Sequence, residues 1–533
     1  MSTTIISGGL IGITEDSKIK VIQSCINDSY FYSNATSGYS LTAAAIAALF
    51  DTNLWVQNSQ IINIQILSAS TQNYSISGGF VSAFSKSQIS FSICYILSSN
   101  IETQSNVKNG ISGAYVGCSQ LQNNITIQSA QTLNTFITAH ACYPRSSGVI
   151  GQAFNTTITI INVEVNKCVI HAKDLLYSSN SINSATDGLA AGVIGFIQSC
   201  QLFINKQVVQ DSQINSSCRI NSSSSSIISQ IYISDKVLRD ITVLNCTVYS
   251  NSSEQLSFSA GIVGNQNGIM SQQSVLFSIY VLNTNISALS SNSYNINQFA
   301  SIICALSYYS NEMLDSVKID SVKIMSSIQS NNGQTGVTCV GGLYGYSDNS
   351  RAQIKNILIN NCIFSSINLY RIYLGGAIGE SNQSYIEILD FIMSNTNLSV
   401  DAQIDGVVSG IMGFYVNSTV YLYSVTTKNI ILNTVSKYAY AGAFFAAAQS
   451  SSSQNTITIK NSVIESIQIW HSENQVNVNL IFLLQTPFIS NITISISDTE
   501  SRGFSYINSV QTQNCQQIVR QINDTYIIQK NGC

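Results

Sequence analysis

Charged residues are scarce in this chain of 533 residues. Lys, Arg, Asp and Glu together make up 9% of it, whereas about 25% is usual for globular proteins. A nucleic-acid-binding groove needs a basic face, so a net charge of −4 argues against a nucleic-acid partner. Charge-driven disorder is also excluded, because 45% of the residues are hydrophobic.

Proline, long apolar runs and metal-binding cysteine pairs are missing as well. The chain has two prolines, Pro144 and Pro487. This suits strands that are paired on both sides, because proline has no backbone N–H to donate to a neighbour. No run of about 18 apolar residues occurs, so we expect no membrane-spanning segment. No CxxC motif occurs among the 13 cysteines, so a zinc ribbon or a thioredoxin-like site has no support.

The first residues lack the basic and apolar stretches of a signal peptide. A repeated phrase begins at once, at Ser7, and the chain stops on Cys533. From these two ends we expect a partial gene product.

What the chain does contain is small polar residues and a repeat. Ser, Thr and Asn account for 172 of the 533 residues. One phrase recurs, a small residue and Gly followed by two apolar residues and another small residue, as in Gly375-Gly376-Ala377-Ile378-Gly379. Ten clear copies have structural glycines as anchors: Gly9, Gly79, Gly113, Gly148, Gly192, Gly261, Gly342, Gly376, Gly410 and Gly442. Weaker copies at Ala45, Ile227, Ser301 and Asn479 complete fourteen units of about 34 residues.

A second column supports this register. Nineteen residues after the anchor, 8 of the 14 units carry Asn or Asp, where chance gives about two. We expect these side chains at one corner of the repeat, bonded to backbone groups of their own turn or of the next unit. The residue directly after the Asn or Asp is usually small. The predicted ladder residues are Asp28, Asp211, Asp320, Asn361, Asn395, Asn429, Asn461 and Asp498.

Around this column apolar residues alternate with others, as at Ile357, Ile359 and Ile363, which is the period of a β-strand. A unit with three short strands and turns predicts an all-β fold, a parallel β-helix (β-solenoid) of about 14 coils. The glycines then provide positive φ or close backbone approach at a bend. We assign 1–508 to the solenoid, with a loop insertion at about 171–188 and an irregular coil at about 290–341. A C-terminal tail, 509–533, holds Cys515 and Cys533, which we expect either to bridge or to begin a cysteine-rich module.

The glycine phrase resembles the GLUG motif of repeat-containing surface proteins, such as adhesins and some surface peptidases. The Asn column is similar to the asparagine ladder of right-handed parallel β-helix proteins, the pectate-lyase-like group. The resemblance covers residues 7–508 in rhythm, although the motif is only five residues long. It implies the fold and a cell-surface or extracellular setting, and it specifies no activity.

Candidate catalytic and metal-binding residues are few. Asp401 and Asp405 could lie on one strand face, and Asp315 and Asp320 have lysines nearby, but acids in solvent-facing loops are the favoured interpretation. The three histidines, His140, His171 and His471, lack the convergent ligands of a zinc site. Cys168 and Cys362, which follow the Asn column, are predicted to be buried free thiols. We therefore expect no catalytic residue, no metal and no cofactor.

Aromatic side chains are the remaining candidates, because they can stack on sugar rings. Core filling or edge cover is the favoured alternative for most of them. The candidates are Trp55, Tyr344, Tyr346, Tyr440 and Trp470.

Taken together, these patterns predict a non-enzymatic, structural or adhesin-like repeat protein, extracellular or on the cell surface, with glycans or surface proteins as partners. Two alternatives stay open. The first is a carbohydrate-active β-helix enzyme, a polysaccharide lyase or hydrolase, which requires acidic or basic residues that converge in a groove. The second is an intracellular repeat scaffold, because no signal peptide is visible.

Overall fold

The fold prediction is confirmed: the chain is an all-β parallel β-solenoid of about twelve turns, close to the fourteen coils expected. The computed structural model describes residues 4–174, 187–290, 297–328, 336–449, 455–471, 476–479, 492–497, 499–502, 504–508, 512–522 and 525–531. Within these ranges no helix occurs. Two compact units divide the chain, Met1–Gln266 and Asn267–Cys533, and each is described by itself below.

Each coil has four strand positions rather than three. A first strand leads into the glycine turn, a second strand leaves it, a long third strand is bent at its middle, and a fourth strand returns to the next coil. In the first unit, the first and second strands are Ile5–Gly8, Ile11–Glu15, Ser40–Ala43, Ile46–Phe50, Ser75–Gly78, Val81–Ser85, Val116–Gln120, Ile150–Phe154, Asp187–Ala191, Ile194–Gln198, Asn221–Ser225, Ile228–Tyr232, Leu256–Ala260 and Val263–Asn267. The third and fourth strands are Lys18–Ile22, Cys25–Asn27, Tyr30–Ala35, Asn53–Gln57, Gln60–Ile62, Gln65–Ser70, Gln88–Ser92, Tyr95–Leu97, Asn123–Leu133, Thr156–Asn166, Val169–Asp174, Gln201–Gln210, Gln213–Cys218, Asp235–Leu244 and Thr247–Ser252. Two strands, Asn100–Gly113 and Phe136–Ser147, join a fourth strand to the next first strand.

The second unit repeats this plan. Its first and second strands are Asn297–Ser301, Cys304–Tyr308, Val337–Gly341, Tyr344–Asp348, Arg371–Gly375, Ile378–Asn382, Asp405–Ser409, Met412–Val416, Tyr438–Gly442, Phe445–Gln449 and Val476–Asn479. The third and fourth strands, some of them merged, are Gln273–Leu282, Asn285–Ser290, Asn311–Asp320, Lys323–Ile328, Arg351–Asn360, Ile363–Asn368, Tyr385–Ala402, Thr419–Val435, Asn455–Lys460, Val463–His471, Ile492–Ser497, Glu500–Arg502 and Phe504–Asn508.

Equivalent strands of successive coils pair in parallel, for example Ile6 with Leu41 and Leu41 with Ile76. After Phe504–Asn508 the pairing changes. That strand pairs antiparallel with Thr512–Ile522, which in turn pairs antiparallel with Thr525–Asn531.

The predicted insertion at 171–188 is flanked by regular strands that reach Asp174 and resume at Asp187. Residue Cys533, and with it the disulfide suggested for the tail, lies outside the described residues.

The glycine turns are places of close approach between strands. A Cβ on Gly9 would lie 2.1 Å from the backbone oxygen of Ala44 in the next coil, and one on Gly376 would lie 2.0 Å from that of Gly410. Gly79, Gly148, Gly192, Gly342 and Gly410 face the following coil in the same way. The anchors Gly113 and Gly442 lie one residue earlier in the turn, because Gly113 pairs with Gly78 and Gly442 with Ser409.

Among the described residues, non-glycine residues provide the positive φ angles, at three corners in most coils. In the first unit the last of these corners, between the third and fourth strands, is occupied by Asp28, Asn63, Ser98, Asn134, Lys167, Asp211 and Asn245. Asn and Asp adopt this left-handed conformation more readily than other side chains. Fourteen of the 53 asparagines adopt a positive φ in the described residues, so these corners account for part of the high Asn content.

The small residue after a corner connects one coil to the next. The Ser384 hydroxyl donates to the carbonyl oxygen of Asn382 at 2.8 Å and accepts the backbone N–H of Ser350 at 3.2 Å. Ser418 makes the same two contacts one coil further on. Cysteine replaces serine at some corners, where the Cys168 thiol donates to the carbonyl of Asn166. Burial raises the pKa of both Cys168 and Cys362 to about 12, so these thiols are protonated and unreactive at neutral pH.

One corner carries a residue that is ill suited to it. Ile93 has a φ of 54°, whereas the equivalent residue of the preceding coil, Asn58, has a φ of 50° with a tolerant side chain. Because a β-branched residue pays about 1–2 kcal/mol in this region, Ile93→Asn is expected to stabilise the fold by about 1 kcal/mol. The reverse change, Asn58→Ile, is expected to destabilise it by a similar amount. Denaturation midpoints measure both, and a loss of stability in Ile93→Asn would contradict this explanation.

Candidate binding groove

A groove lies on the outward face of the third strands in the first unit. Outward residues of successive coils are aligned by parallel register, in the order Lys20, Trp55, Ser90, Thr126, Thr159 and Phe203. Between the large Trp55 and Phe203 the row contains only Ser and Thr side chains. The short side chains leave a depression beside Trp55.

The depression has a volume of about 330 Å³ and its walls are uncharged. Trp55 stands at one end with 39% of its surface exposed, and the ammonium group of Lys20 lies 5.9 Å from its ring centre. Amides and hydroxyls form the rest of the polar surface. The lining residues are Leu54, Trp55, Gln88, Ile89, Ser90, Asn124, Ile125, Thr126, Thr157 and Thr159.

None of these lining residues titrates. An exposed indole offers a flat apolar face, and the amides and hydroxyls offer hydrogen-bond donors and acceptors. Acid–base catalysis needs a group that exchanges protons near neutral pH. The lining therefore combines an apolar face with hydrogen-bond donors and acceptors.

The other aromatic candidates lie elsewhere. Tyr344 is buried, and its hydroxyl donates to the Glu312 carboxylate at 2.7 Å. Tyr346 and Tyr440 lie on second and first strands, where Tyr346 packs against Phe299 and Tyr440 is only 8% exposed. Trp470 is 43% exposed on a fourth strand of the second unit. Trp55 alone among the five lines the groove described above.

The acidic pairs considered from the sequence do not converge. Asp405 forms an ion pair with Arg371 at 2.9 Å, whereas Asp401 is exposed on the preceding strand. Asp315 accepts a hydrogen bond from Asn356 at 2.8 Å. The ammonium group of Lys318, one of the nearby lysines, lies over the ring of Tyr280, 5.4 Å from its centre.

The histidines lie on fourth strands, outside the groove. His171 shares a 2.8 Å hydrogen bond with the side chain of Asn215. Partial burial, the largest effect, and nearby positive charge lower the pKa of both His140 and His171, which favours neutral rings. Within the ranges described, no group of three metal-ligating side chains comes together. The side chain of His471 lies outside the described residues.

Several residues of the predicted ladder contact the neighbouring coil through their side chains. The amide of Asn245 donates to Asp211 at 3.0 Å, Asn429 donates to Asn395 at 3.1 Å, and Asn63 donates to Asp28. Asn361 donates to Asp320 at 3.2 Å, and Asn395 donates to Asn360 at 3.0 Å. These contacts hold together side chains of adjacent coils. Asp498 lies outside the described residues.

Two predicted ladder residues occupy other positions. Asp320 is the last residue of its strand and directly precedes the corner residue Ser321. The anchor assigned to this unit, Ser301, lies one residue too early in the turn, so the count of nineteen residues also ends one residue too early. Asn461 lies at the preceding corner of its coil, where it follows the pair Tyr423 and Lys460. The shift is five residues: four are extra residues between the second and third strands of this coil, and one arises because the anchor Gly442 lies one residue early in its turn. Ser466 occupies the expected corner.

A second feature escaped the sequence argument. Side chains of the first and second strands of a coil pack against each other, and in the first unit this packing starts with a buried apolar cluster of Leu41, Ile76, Ile111, Ala48 and Cys118. Further along the same rows lie polar residues, including Arg145 in the first unit and Glu380 in the second. Each occurs in one coil only, so no repeat pattern marks it.

Comparisons with known proteins add little to these findings. No family model matches the chain, and the GLUG resemblance stays a prediction. No curated protein matches it either. Among solved structures, the chain is similar to PfbA, a surface adhesin of Streptococcus pneumoniae, with 10% identity and a TM-score of 0.28 over 91% of each chain. The fold is established by the strand pairing, and the functional argument rests on the groove.

No helix long and apolar enough to cross a membrane is found among the described residues.

Proposed function

We propose that this chain is a non-enzymatic, adhesin-like repeat protein of the cell surface or the extracellular space, and that the groove beside Trp55 binds a neutral glycan. The observation that carries the proposal is the lining of the groove. It combines an exposed indole with aligned Ser, Thr, Asn and Gln side chains and contains no titratable group.

Glycan recognition suits this lining for two physical reasons. Sugar rings present apolar C–H faces that pack on an indole, and their hydroxyls pair with amides and hydroxyls. The short Ser90, Thr126 and Thr159 side chains also leave the groove open along the row of coils, so that a chain of sugar units can lie across several strands. A charged ligand would find no ion partner in the lining.

Binding of the full chain to an array of neutral and acidic oligosaccharides tests the proposal. Trp55→Ala is expected to weaken neutral-glycan binding about tenfold, which corresponds to about 1.4 kcal/mol. Trp470→Ala is the matched control, because Trp470 is an equally exposed indole outside the groove. Equal weakening by both changes, or no weakening by Trp55→Ala, would refute the assignment of the groove.

The enzyme alternative is separated by a second measurement on the same mixtures. Mass spectrometry of the bound oligosaccharides is expected to show them intact after prolonged incubation. Release of shortened or unsaturated products that depends on the chain would instead identify a hydrolase or a lyase and would overturn the non-enzymatic proposal.

A further inference from the structure

One sequence motif that the proposed function leaves unexplained lies inside the groove described above. Asn124, Ile125 and Thr126 form an Asn-x-Thr sequon, the acceptor sequence for N-linked glycosylation. All three residues line the groove. Parallel pairing places Asn124 beside Gln88 of the preceding coil and Thr157 of the following coil. The acceptor amide therefore belongs to the wall of the groove itself.

Several of the 15 sequons in the chain have an asparagine whose side-chain amide is already held by the fold. The amide of Asn245 donates to Asp211 at 3.0 Å, and that of Asn382 donates to Asp348 at 3.0 Å. A glycan on such a nitrogen would disrupt the contact, because the first sugar needs open space beside it. The amides of three more are engaged in a similar way, those of Asn73, Asn215 and Asn221.

The amide of Asn124 is not held in this way. Its side chain is exposed, and it makes no hydrogen bond with another residue in the part of the chain that the structure describes. A sugar attached to its nitrogen therefore breaks no contact of the fold. Five other sequon asparagines are exposed but lie outside the groove lining: Asn27, Asn34, Asn155, Asn285 and Asn397. Among the described sequons, Asn124 alone combines exposure with a place in the groove.

A glycan attached at Asn124 would be held beside a surface that suits it. Trp55 lies two coils before Asn124 in the row, about 10 Å away along the solenoid at the usual spacing of strands. The core of an N-linked glycan has several neutral sugar units, so it is long enough to reach the indole. A short tether gives an effective concentration of about 1 mM. A groove that binds sugars with a dissociation constant of about 0.1 mM would then be filled for about nine-tenths of the time.

We propose that Asn124 is an N-linked glycosylation site and that its glycan occupies the groove beside Trp55, where it competes with glycans from outside the chain. The inference rests on the extracellular setting and the sugar-binding groove proposed above, and it adds a modification that controls access to that groove.

The transfer step forms one bond and breaks one. The Nδ2 atom of Asn124 bonds to the anomeric carbon of an oligosaccharide that is carried on a lipid pyrophosphate. The bond between that carbon and the pyrophosphate oxygen breaks, and the lipid pyrophosphate leaves. The amide gives up one proton to the transferase, and nothing is oxidised or reduced.

The test compares the full chain secreted from a yeast strain that attaches only neutral oligomannose glycans with the same chain made in a bacterial host that lacks the transferase. Glycopeptide mass spectrometry is expected to find a glycan on Asn124 in the yeast product. Asn285, in the exposed sequon Asn285-Ile286-Ser287, reports whether the yeast host modifies the chain. An unmodified Asn124 in the yeast product would overturn the proposal.

Shielding of Trp55 is measured separately from sugar binding. The chain has two tryptophans, so Trp470→Phe leaves Trp55 as the single indole fluorophore. With glycan on Asn124, acrylamide quenching of Trp55 is expected to fall roughly by half, because the groove is mostly filled. Asn124→Gln made in yeast should restore the quenching of the bacterial product, whereas the matched control Asn285→Gln should keep the shielding. Equal quenching in the yeast and bacterial products would show that the glycan lies outside the groove.

Binding measures the functional consequence. For the neutral oligosaccharide that the bacterial product binds most tightly on an array, the yeast product is expected to bind about tenfold more weakly. Asn124→Gln should bind equally well from both hosts, and Asn285→Gln should keep the tenfold difference. A difference that persists in Asn124→Gln would assign the effect to another glycan and would contradict the proposal.

The two proposals fail in distinguishable ways. If the bacterial product binds no neutral oligosaccharide, the function proposed for the groove is wrong, whereas glycan occupancy and the quenching of Trp55 still decide the role of Asn124. If the bacterial product binds and the yeast product binds equally well with Asn124 modified, the groove keeps its function and the control of access by Asn124 is wrong.

Discussion

Replacing Gly117 by valine is expected to destabilise the first unit by about 3 kcal/mol, the upper part of the range for side chains forced into a packed interior. A Cβ on Gly117 would lie 2.6 Å from the backbone oxygens of Ser77 and Ser82, and 2.7 Å from the Ile76 side chain. Two of these three atoms belong to the backbone of the preceding coil. They can move only if the parallel pairing of that coil is distorted, so the cost cannot be relieved by a side-chain rotation.

Gly12 provides a matched control for this prediction. It holds the same place in the glycine phrase, but a Cβ on it would meet nothing within 4 Å. Gly12→Val is therefore expected to change the stability by less than about 0.5 kcal/mol, as is usual for open positions. Urea denaturation of both variants measures the difference. Similar midpoints for the two variants would show that close approach of backbones is not what selects glycine here.

The same contrast shows how glycine and asparagine divide their roles, and here the sequence argument was only half complete. It offered positive φ and close approach as alternative reasons for the repeated glycines. In the structure, glycines such as Gly9 and Gly376 lie where a backbone oxygen of the next coil leaves no room for a Cβ. Positive φ is instead found at corners such as Asp28, Asn395 and Asn429. The spacing of both residue types predicted the period, because each meets a constraint that recurs in every coil.

Features that occur once could not be found in this way. Arg145 lies on a first strand and Glu380 on a second strand, and neither belongs to a repeated column. The groove beside Trp55 depends on the register that aligns Ser90, Thr126 and Thr159 over three further coils. A sequence spacing of about 34 residues suggests such an alignment, but an error of one residue turns a side chain to the other face of its strand. The misplacement of Asn461 after four extra residues illustrates this sensitivity.

Glu380 carries the second large prediction, which concerns pH. It lies on a second strand of the second unit, where its carboxyl group accepts a hydrogen bond from the Cys339 thiol at 3.2 Å. Burial is the main reason that the pKa of Glu380 is raised to about 7, and the charge of Asp348 raises it further. Arg371 opposes this rise, but its guanidinium is paired with Asp405. Glu380 is therefore protonated in the folded chain under mildly acidic conditions.

The direction of the pH effect follows from the two protonation equilibria. Below about pH 4, Glu380 is protonated in both the folded and the unfolded chain, and its contribution to stability is complete. Between its ordinary pKa of about 4.3 and the folded value of about 7, the unfolded chain releases the proton while the folded chain retains it. The free energy of unfolding should therefore fall as the pH rises through this window and stay low above it.

A fall of about 2 kcal/mol is expected, because one pKa unit corresponds to about 1.4 kcal/mol and the partial exposure of Glu380 reduces the full effect. Glu380→Gln should remove this part of the pH dependence and should make the chain more stable than the wild type at pH 8. Glu387→Gln, on the outward face of the next strand, is the control and should leave the pH profile unchanged. An ionised Glu380 would lie beside the Cys339 thiol and near the stacked rings of Tyr373 and Phe414. A wild-type profile that is flat between pH 4 and pH 8 would therefore mean that water reaches this carboxylate in the folded chain and that burial does not raise its pKa.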